Sequence, residues 1–287
     1  MEKDQMTRRE FSKSLLAAGT AMGLSGAIGR GCNESTLNLV ALQLFTIREL
    51  TEDDFLGAVE KVAKIGYDAL EFAGYGGLSA KEVKQLIDNL GLIPVGSHEG
   101  FEGLAKGLEA RIEFNLELGN KYIVVPSMPG QWRDKGVDGF KQFGERLNVM
   151  GEKIKQAGMG FCYHNHNFEF EKVDGKYLYD HLFEATDPEL VKAQVDIYWV
   201  QVGGEDPVAH LKKYAGRCPL LHMKDMTAGE DKMFAPVGAG IIDMKGIIQT
   251  ARETGAEWFI VEQDSMQLPV LEAIEISLKN MRNLLKT

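Results

Sequence analysis

Three cysteines in 287 residues are too few for a disulfide framework. Cys162 and Cys218 sit inside apolar runs at a spacing that suits neither a zinc site nor a bridge, and both read as buried free thiols. Basic charge is scarce as well: 32 Lys and Arg against 42 Asp and Glu give a formal charge of −10. Residues 1–32 hold five bases and three acids, so the rest of the chain carries −12. Nucleic acid and anionic membrane both need a basic face, and this balance opposes them. It also works against a highly phosphorylated substrate. There is no internal linker, no low-complexity segment and no glycine-rich phosphate fingerprint after the first predicted strand, which runs into Gln43-Leu44-Phe45-Thr46-Ile47-Arg48. A doubly wound nucleotide-binding sheet is therefore disfavoured.

The N-terminus has a pattern of its own. Thr7-Arg8-Arg9-Glu10-Phe11-Ser12-Lys13 precedes a weakly apolar, glycine-broken stretch, Leu15 to Ile28. That stretch is shorter than the roughly 20 apolar residues a membrane helix needs. Residues 1–32 resemble a twin-arginine export signal, with Cys32 a candidate lipid anchor, and residues 33–287 form the working domain. Delivery to the periplasm or to a membrane face through Cys32 is expected.

From Leu39 onward, short apolar runs alternate with amphipathic segments. Strands are predicted at Leu39–Leu44, Ala69–Phe72, Ile93–Ser97, Tyr122–Pro126, Gly160–His164, Ala193–Ile197, Leu220–Met223 and Trp258–Glu262. Most lack polar alternation, as strands buried on both faces do. Helices are predicted at Asp53–Ile65 with Thr51 as N-cap, Ala80–Leu90 between Ser79 and Gly91, and Leu104–Leu118. Others are expected at Asp138–Ala157, Asp206–Tyr214, Met244–Thr254 and Leu271–Leu285. Eight such alternations predict an α/β fold, a single-domain (β/α)8 TIM barrel.

Catalytic groups of such barrels stand at the C-terminal strand ends. Here those ends carry His164, His166, Asp196, His222 and Glu262, imidazoles and carboxylates able to converge on one divalent cation. Nitrogen with hard oxygen suits Mn, Co, Zn or Fe, with Mg a further candidate, better than Ca. An ionised Asp196 ending an apolar strand is costly unless paired or metal-bound. Lys224 is a candidate pocket group, and Glu169 reads equally as a pocket acid, a group that supports the pocket from behind, or a solvated loop carboxylate. His98 and Glu71 are candidate substrate contacts, Glu71 also reading as a hydrogen-bonding partner within the barrel. Trp132 and Trp199 are candidate stacking faces for a sugar. His181 and His210 fall on helical segments and read as surface or packing residues.

Lys64-Ile65-Gly66-Tyr67-Asp68-Ala69-Leu70-Glu71-Phe72, Tyr163-His164-Asn165-His166 and Gln194-Val195-Asp196 occur in order. Leu221-His222-Met223-Lys224-Asp225, Pro236-Val237-Gly238-Ala239-Gly240 and Val261-Glu262 follow. Over about residues 38–285 the chain resembles the xylose isomerase-like barrel superfamily, the sugar phosphate isomerases and epimerases. The resemblance implies four metal ligands, Glu, Asp, His and Glu, in the ketose 3-epimerase branch. Asp196, His222 and Glu262 match the last three, and His164 stands where the first glutamate belongs. The His-x-His segment looks more like the inosose dehydratase and keto-glycoside branches.

The expected function is a metal-dependent sugar isomerase or epimerase that abstracts a proton next to a carbonyl, with Glu262, His166, Lys224 and Glu169 as catalytic candidates. The alternative is β-elimination on a 3-keto-glycoside or inosose, by a lyase, hydratase or dehydratase. An endonuclease-IV-like phosphodiesterase would need further ligands and a basic groove, and a non-catalytic sugar-binding barrel would not need the ligand set. The partner expected is a small sugar or keto-glycoside, with assembly into a homo-oligomer left open.

Overall fold

A computed structural model describes residues 38–286; the segment that resembles a twin-arginine signal and Cys32 lie outside the described residues. Eight strands form the barrel: β1 Val40–Gln43, β2 Ala69–Phe72, β3 Ile93–His98, β4 Tyr122–Val125, β5 Gly160–His164, β6 Lys192–Asp196, β7 Leu220–Met223 and β8 Trp258–Val261. Each pairs in parallel with its neighbour in sequence, and β8 closes the ring on β1. The predicted strands match these to within about a residue at each end, the margin at which strand ends are defined.

Side chains alternate between the two faces of each strand. Outward-facing Val40, Leu42, Leu70, Phe161, Tyr163, Leu221, Met223, Phe259 and Val261 pack under the surrounding helices in the larger core. Inward-facing Ala41, Ala69, Val124, Cys162, Leu220, Trp258 and Ile260 fill the barrel itself. Burying such an aliphatic side chain contributes roughly 1.5–3 kcal/mol, so both layers oppose strand loss. Cys162 and Cys218 are buried and unpaired.

The helices follow from their caps. Ser79 and Glu82 form a reciprocal capping box at the start of Ala80–Leu90, and Gly91 ends it in the left-handed conformation. The predicted helix Asp53–Ile65 is divided. Residues Arg48–Asp53 form one short helix, and Asp54 leaves the helical region to cap Phe55–Ile65 through Gly57 N–H. Thr51 instead bonds back to Arg48 O at 3.0 Å and caps nothing. Asp54 takes the cap because its backbone is extended, φ −148° and ψ 92°, which frees its carboxylate to accept from the first turn. A short hairpin, Lys172–Val173 with Lys176–Tyr177, and the helix Leu178–Glu184 were not predicted. No helix among the described residues is long and apolar enough to cross a membrane.

Candidate metal centre and pocket

Alternation carries the inner face of each strand from an apolar floor to a polar rim. From β5 the inward series runs Cys162, His164 and, past the strand end, His166; from β7 it runs Leu220, His222 and, past the end, Lys224; from β8 it runs Trp258, Ile260 and, past the end, Glu262 and Asp264. On β6 it is Gln194 and Asp196. Register aligns them: His164 pairs with Gln194, and Asp196 with His222. Strand β3 joins only through a register irregularity, with Leu70 beside Pro94 but Glu71 beside Gly96. The shift turns His98 inward, while Ser97 points out to bond Asn115 at 2.8 Å. Position 96 must be glycine for this, since a Cβ there would lie 2.7 Å from Tyr122 O.

Glu71 sits at the centre and is fully enclosed. It accepts from Gln43 Nε2 at 2.7 Å, Gln194 Nε2 at 2.5 Å and His222 Nε2 at 2.6 Å. Burial opposes its ionisation, but the neighbouring His98 and His222 outweigh that and hold its carboxyl below the usual range. The other nitrogen of His222 lies 2.6 Å from Glu262 Oε2. Burial works against the imidazolium there, yet Glu262 and Glu71 push the His222 pKa up to about 10.

Lys224 is equally buried, with Nζ 2.9 Å from Asp196, 2.8 Å from Glu262 and 2.7 Å from Asp264. Those three carboxylates overcome the burial penalty and raise its pKa. Lys224 and His222 in turn hold Glu262 well below the usual carboxylate range despite its burial. Asp196 has the opposite balance, and burial pushes it up to about 6. Its Oδ1 accepts from Trp199 N–H at 3.0 Å, but Oδ2 is buried and accepts no hydrogen bond. Oδ2 is 2.9 Å from Lys224 Nζ, close enough for Coulomb attraction without the alignment of a bond.

His164, Asp196, His222 and Glu262 offer ligand atoms that all lie within 4.8 Å of one another. Two imidazoles, two carboxylates and the unbonded Asp196 Oδ2 fit a divalent cation of the Mn, Fe, Co or Zn type. A second group, His98, His164 and His222, meets the same distance limit. Gln194 Oε1 supports both histidines of β3 and β5, 2.7 Å from His98 Nε2 and 3.0 Å from His164 Nδ1. Such an acceptor fixes the ring that a metal would use.

Above this centre opens a cavity of about 350 Å³, lined by Phe45, His98, His164, His166, Lys224, Glu262 and Asp264, among others. The histidines form one wall and Lys224, Glu262 and Asp264 the other. His166 Nδ1 is buried without a partner, and burial together with the Lys224 charge lowers its pKa to about 4. At neutral pH it is therefore an uncharged imidazole facing the cavity.

The remaining sequence candidates are placed as follows. Glu71 braces His222 and does not line the cavity. Glu169 is buried beneath it, accepting from Tyr163 Oη at 2.6 Å and from His166 N–H at 2.9 Å, and burial pushes its carboxyl up to about 7. It orients the His166 backbone instead of reaching substrate. Trp199 lies beside His166, ring centroids 5.6 Å apart. Trp132 is a correction: it lines a groove with Phe101, Leu104 and Val149 on the outside of the barrel, not the strand-end cavity. Its loop continues into the short helix Gly130–Arg133, which carries the indole away from the mouth. Asp225 faces outward and accepts from N–H of Met226, Gly238, Gly240 and Ile242, so it ties down the loop after β7. Gln194, Asp264 and Phe45 were missed as site residues. Period-two counting from Asp196 and Glu262 would have found the first two.

The sequence matches the family model described as xylose isomerase-like TIM barrel over residues 59–284. It is 30% identical to an inosose dehydratase of Geobacillus thermodenitrificans (strain NG80-2) over 193 residues, 57% of this chain and 64% of that protein. An inosose dehydratase of Clostridium beijerinckii is 27% identical over 74% of this chain and 83% of its own length. Among solved structures, a sugar phosphate isomerase/epimerase from Parabacteroides distasonis ATCC 8503 superposes with a TM-score of 0.74. It is 27% identical, with 85% of this chain and 93% of that one covered.

Proposed function

Since the chain belongs to the xylose isomerase-like TIM barrel family, we propose that its strand-end centre is a metal-dependent sugar-modifying site. It removes the proton next to the ketone of a sugar-like ring and expels the β-oxygen. The observation that carries this reading is the unlike chemistry of the cavity walls, uncharged imidazoles on one side and Lys224 with Glu262 and Asp264 on the other. Symmetric epimerisation needs a competent base on each face. Glu262 is already bound to Lys224 and His222 and belongs to the candidate ligand set, so its carboxylate is engaged and is not a free second base.

In the proposed reaction His166, which lines the cavity, takes the α-proton through a ring nitrogen, and the C–H electrons move toward the carbonyl oxygen. Lys224 lends that oxygen its positive field across a buried, low-dielectric site. The β-carbon–oxygen bond then breaks, a carbon–carbon double bond conjugated to the ketone forms, and the departing oxygen leaves with its electron pair. The imidazolium of His166 returns the proton to that oxygen. His164, Asp196, His222 and Glu262 would hold the cation, which supplies Lewis-acid polarisation of the carbonyl when bound. The names of the inosose dehydratase relatives support a ketone-bearing ring as substrate. A second reading, return of the proton to carbon as in an isomerase or epimerase, is favoured by the Parabacteroides neighbour.

The deciding experiment offers a chromogenic 3-keto-glycoside, an inosose and a free ketohexose side by side in D₂O, read by absorbance and NMR. Release of the chromogen or dehydration of the inosose supports elimination. Rapid ketohexose epimerisation with neither of these would replace it by the second reading.

For the chain outside the described residues, we propose export of the folded barrel by the twin-arginine route, with Arg8 and Arg9 as the motif and Cys32 as the anchor. The Arg pair followed by the glycine-broken apolar stretch supports this.

A further inference from the structure

A second cavity of about 410 Å³ adjoins the metal-ligand cavity, and Asp264 lines both. Each volume falls in the range of roughly 300–1,000 Å³ that ligand pockets occupy. The wall between them is a stacked pair: Phe45 lines the first cavity and Arg48 the second, with the guanidinium carbon 4.4 Å from the phenyl centroid. Arg48 is held there from both ends, donating to Phe45 O at 3.1 Å and to Asp264 O at 2.8 Å. The second cavity also carries Glu49, Met266 and Leu268. Phe45 and Leu268 are each 41% exposed, an aromatic and an aliphatic left open to solvent at the mouth. A rim of this kind, with apolar faces beside fixed charged groups, suits a six-membered ring that has an apolar face and a polar edge.

We propose that this second cavity is a subsite for a second ring, joined through oxygen to the ring that reacts. The substrate is then a two-ring glycoside, not a free monosaccharide. The inference rests on the sugar-modifying reading of the first cavity. The two-ring chemistry is common to a disaccharide and an aryl glycoside, and the test separates them.

The unoxidised probes methyl β-glucoside, cellobiose and phenyl β-glucoside are titrated by calorimetry into the full-length protein and its Leu268→Trp variant. Met266→Trp fills the same cavity and serves as a second variant. The parent is expected to bind cellobiose, phenyl β-glucoside or both at least about ten-fold more tightly than methyl β-glucoside. Filling the cavity should erase that difference and leave methyl β-glucoside within about two-fold. A gain with cellobiose alone assigns a sugar to the subsite; a gain with the phenyl glycoside alone assigns an aryl group. No difference in the parent, or a difference that both variants retain, overturns the proposal. So does loss of an oligomer in the variants with all three probes weakened equally, which would assign the rim to a second copy of the chain. Because the probes cannot react, lack of turnover on keto-glycosides removes the eliminative chemistry and leaves the binding result to decide the subsite.

Discussion

His222 and Glu262 meet at 2.6 Å, Nδ1 to Oε2, inside a site with no solvent between them. With Glu71 at the same distance from Nε2, the imidazole is clamped as an imidazolium between two carboxylates. A divalent cation needs a ring nitrogen without its proton, so metal uptake must displace a proton from His222. The sign follows from the raised pKa: below about 10 the ring is protonated and the cation competes with it. Metal affinity is therefore expected to rise with pH, by up to about ten-fold per unit below that value. Competition against a chromophoric chelator at several pH values measures the slope, and a flat profile would remove His222 from the ligand set.

Asp196→Asn separates metal binding from stability. The asparagine keeps the side-chain oxygen that caps Trp199 N–H, and it removes a charge that burial disfavours. Lys224 retains Glu262 and Asp264. Metal affinity should fall by about 100-fold, since a carboxylate ligand is lost, while the metal-free melting temperature changes by no more than about 4 °C. Undiminished metal content in the purified variant, or in one that combines it with His222→Ala, would show that the cation binds elsewhere.

His166→Gln tests the base. Its ring lines the cavity and has an unpartnered nitrogen, whereas its backbone is held by Glu169. Loss of general acid–base catalysis typically costs 10²–10⁴-fold, so kcat should drop by about that much with KM and bound metal unchanged. Parent-like kcat would move the base assignment to another group.

The barrel was legible because each strand announces itself as an apolar run, and its inner face becomes readable once the strand is placed. Asp196, His222 and Glu262 then follow from counting in twos. Counting in twos does not turn His98 inward, because the irregularity beside Gly96 resets the alternation along β3 where it passes Leu70 and Glu71. Trp132 failed for a related reason: a loop after a strand can lead either over the mouth or down the outside, and residue type does not decide which. Glu71 and Glu169 look alike in sequence to pocket acids. The bracing role was among the readings of both, and their partners, His222 in one case and the Tyr163 hydroxyl in the other, select it.

Export through the Arg8-Arg9 pair predicts that replacing both with lysine leaves the protein in the cytoplasm, folded and able to bind metal. Cell fractionation with an antibody reads the outcome. Unchanged delivery would exclude the twin-arginine route.

Acid sensitivity should come in part from a histidine that does not line the cavity. His210 packs against Phe170, Tyr179 and Tyr214, and its Nε2 has no hydrogen-bond partner. Burial, helped by the Lys213 charge, lowers its pKa to about 3. An unfolded histidine titrates near 6.5, so between roughly 6.5 and 3 the unfolded chain binds a proton that the folded one refuses. Stability contributed by the neutral ring is complete above the unfolded value and is lost as pH falls through that window. The integrated effect is on the order of a few kcal/mol. His210→Phe keeps an aromatic ring among aromatic neighbours and cannot take up the proton. Denaturant unfolding of the metal-free protein at neutral pH and near pH 4.5 is the measurement. The parent should lose more stability than the variant between the two, by at least about 1 kcal/mol. Equal losses would mean that His210 is protonated in the folded protein as readily as in the unfolded one, and that the acid limb belongs to other groups.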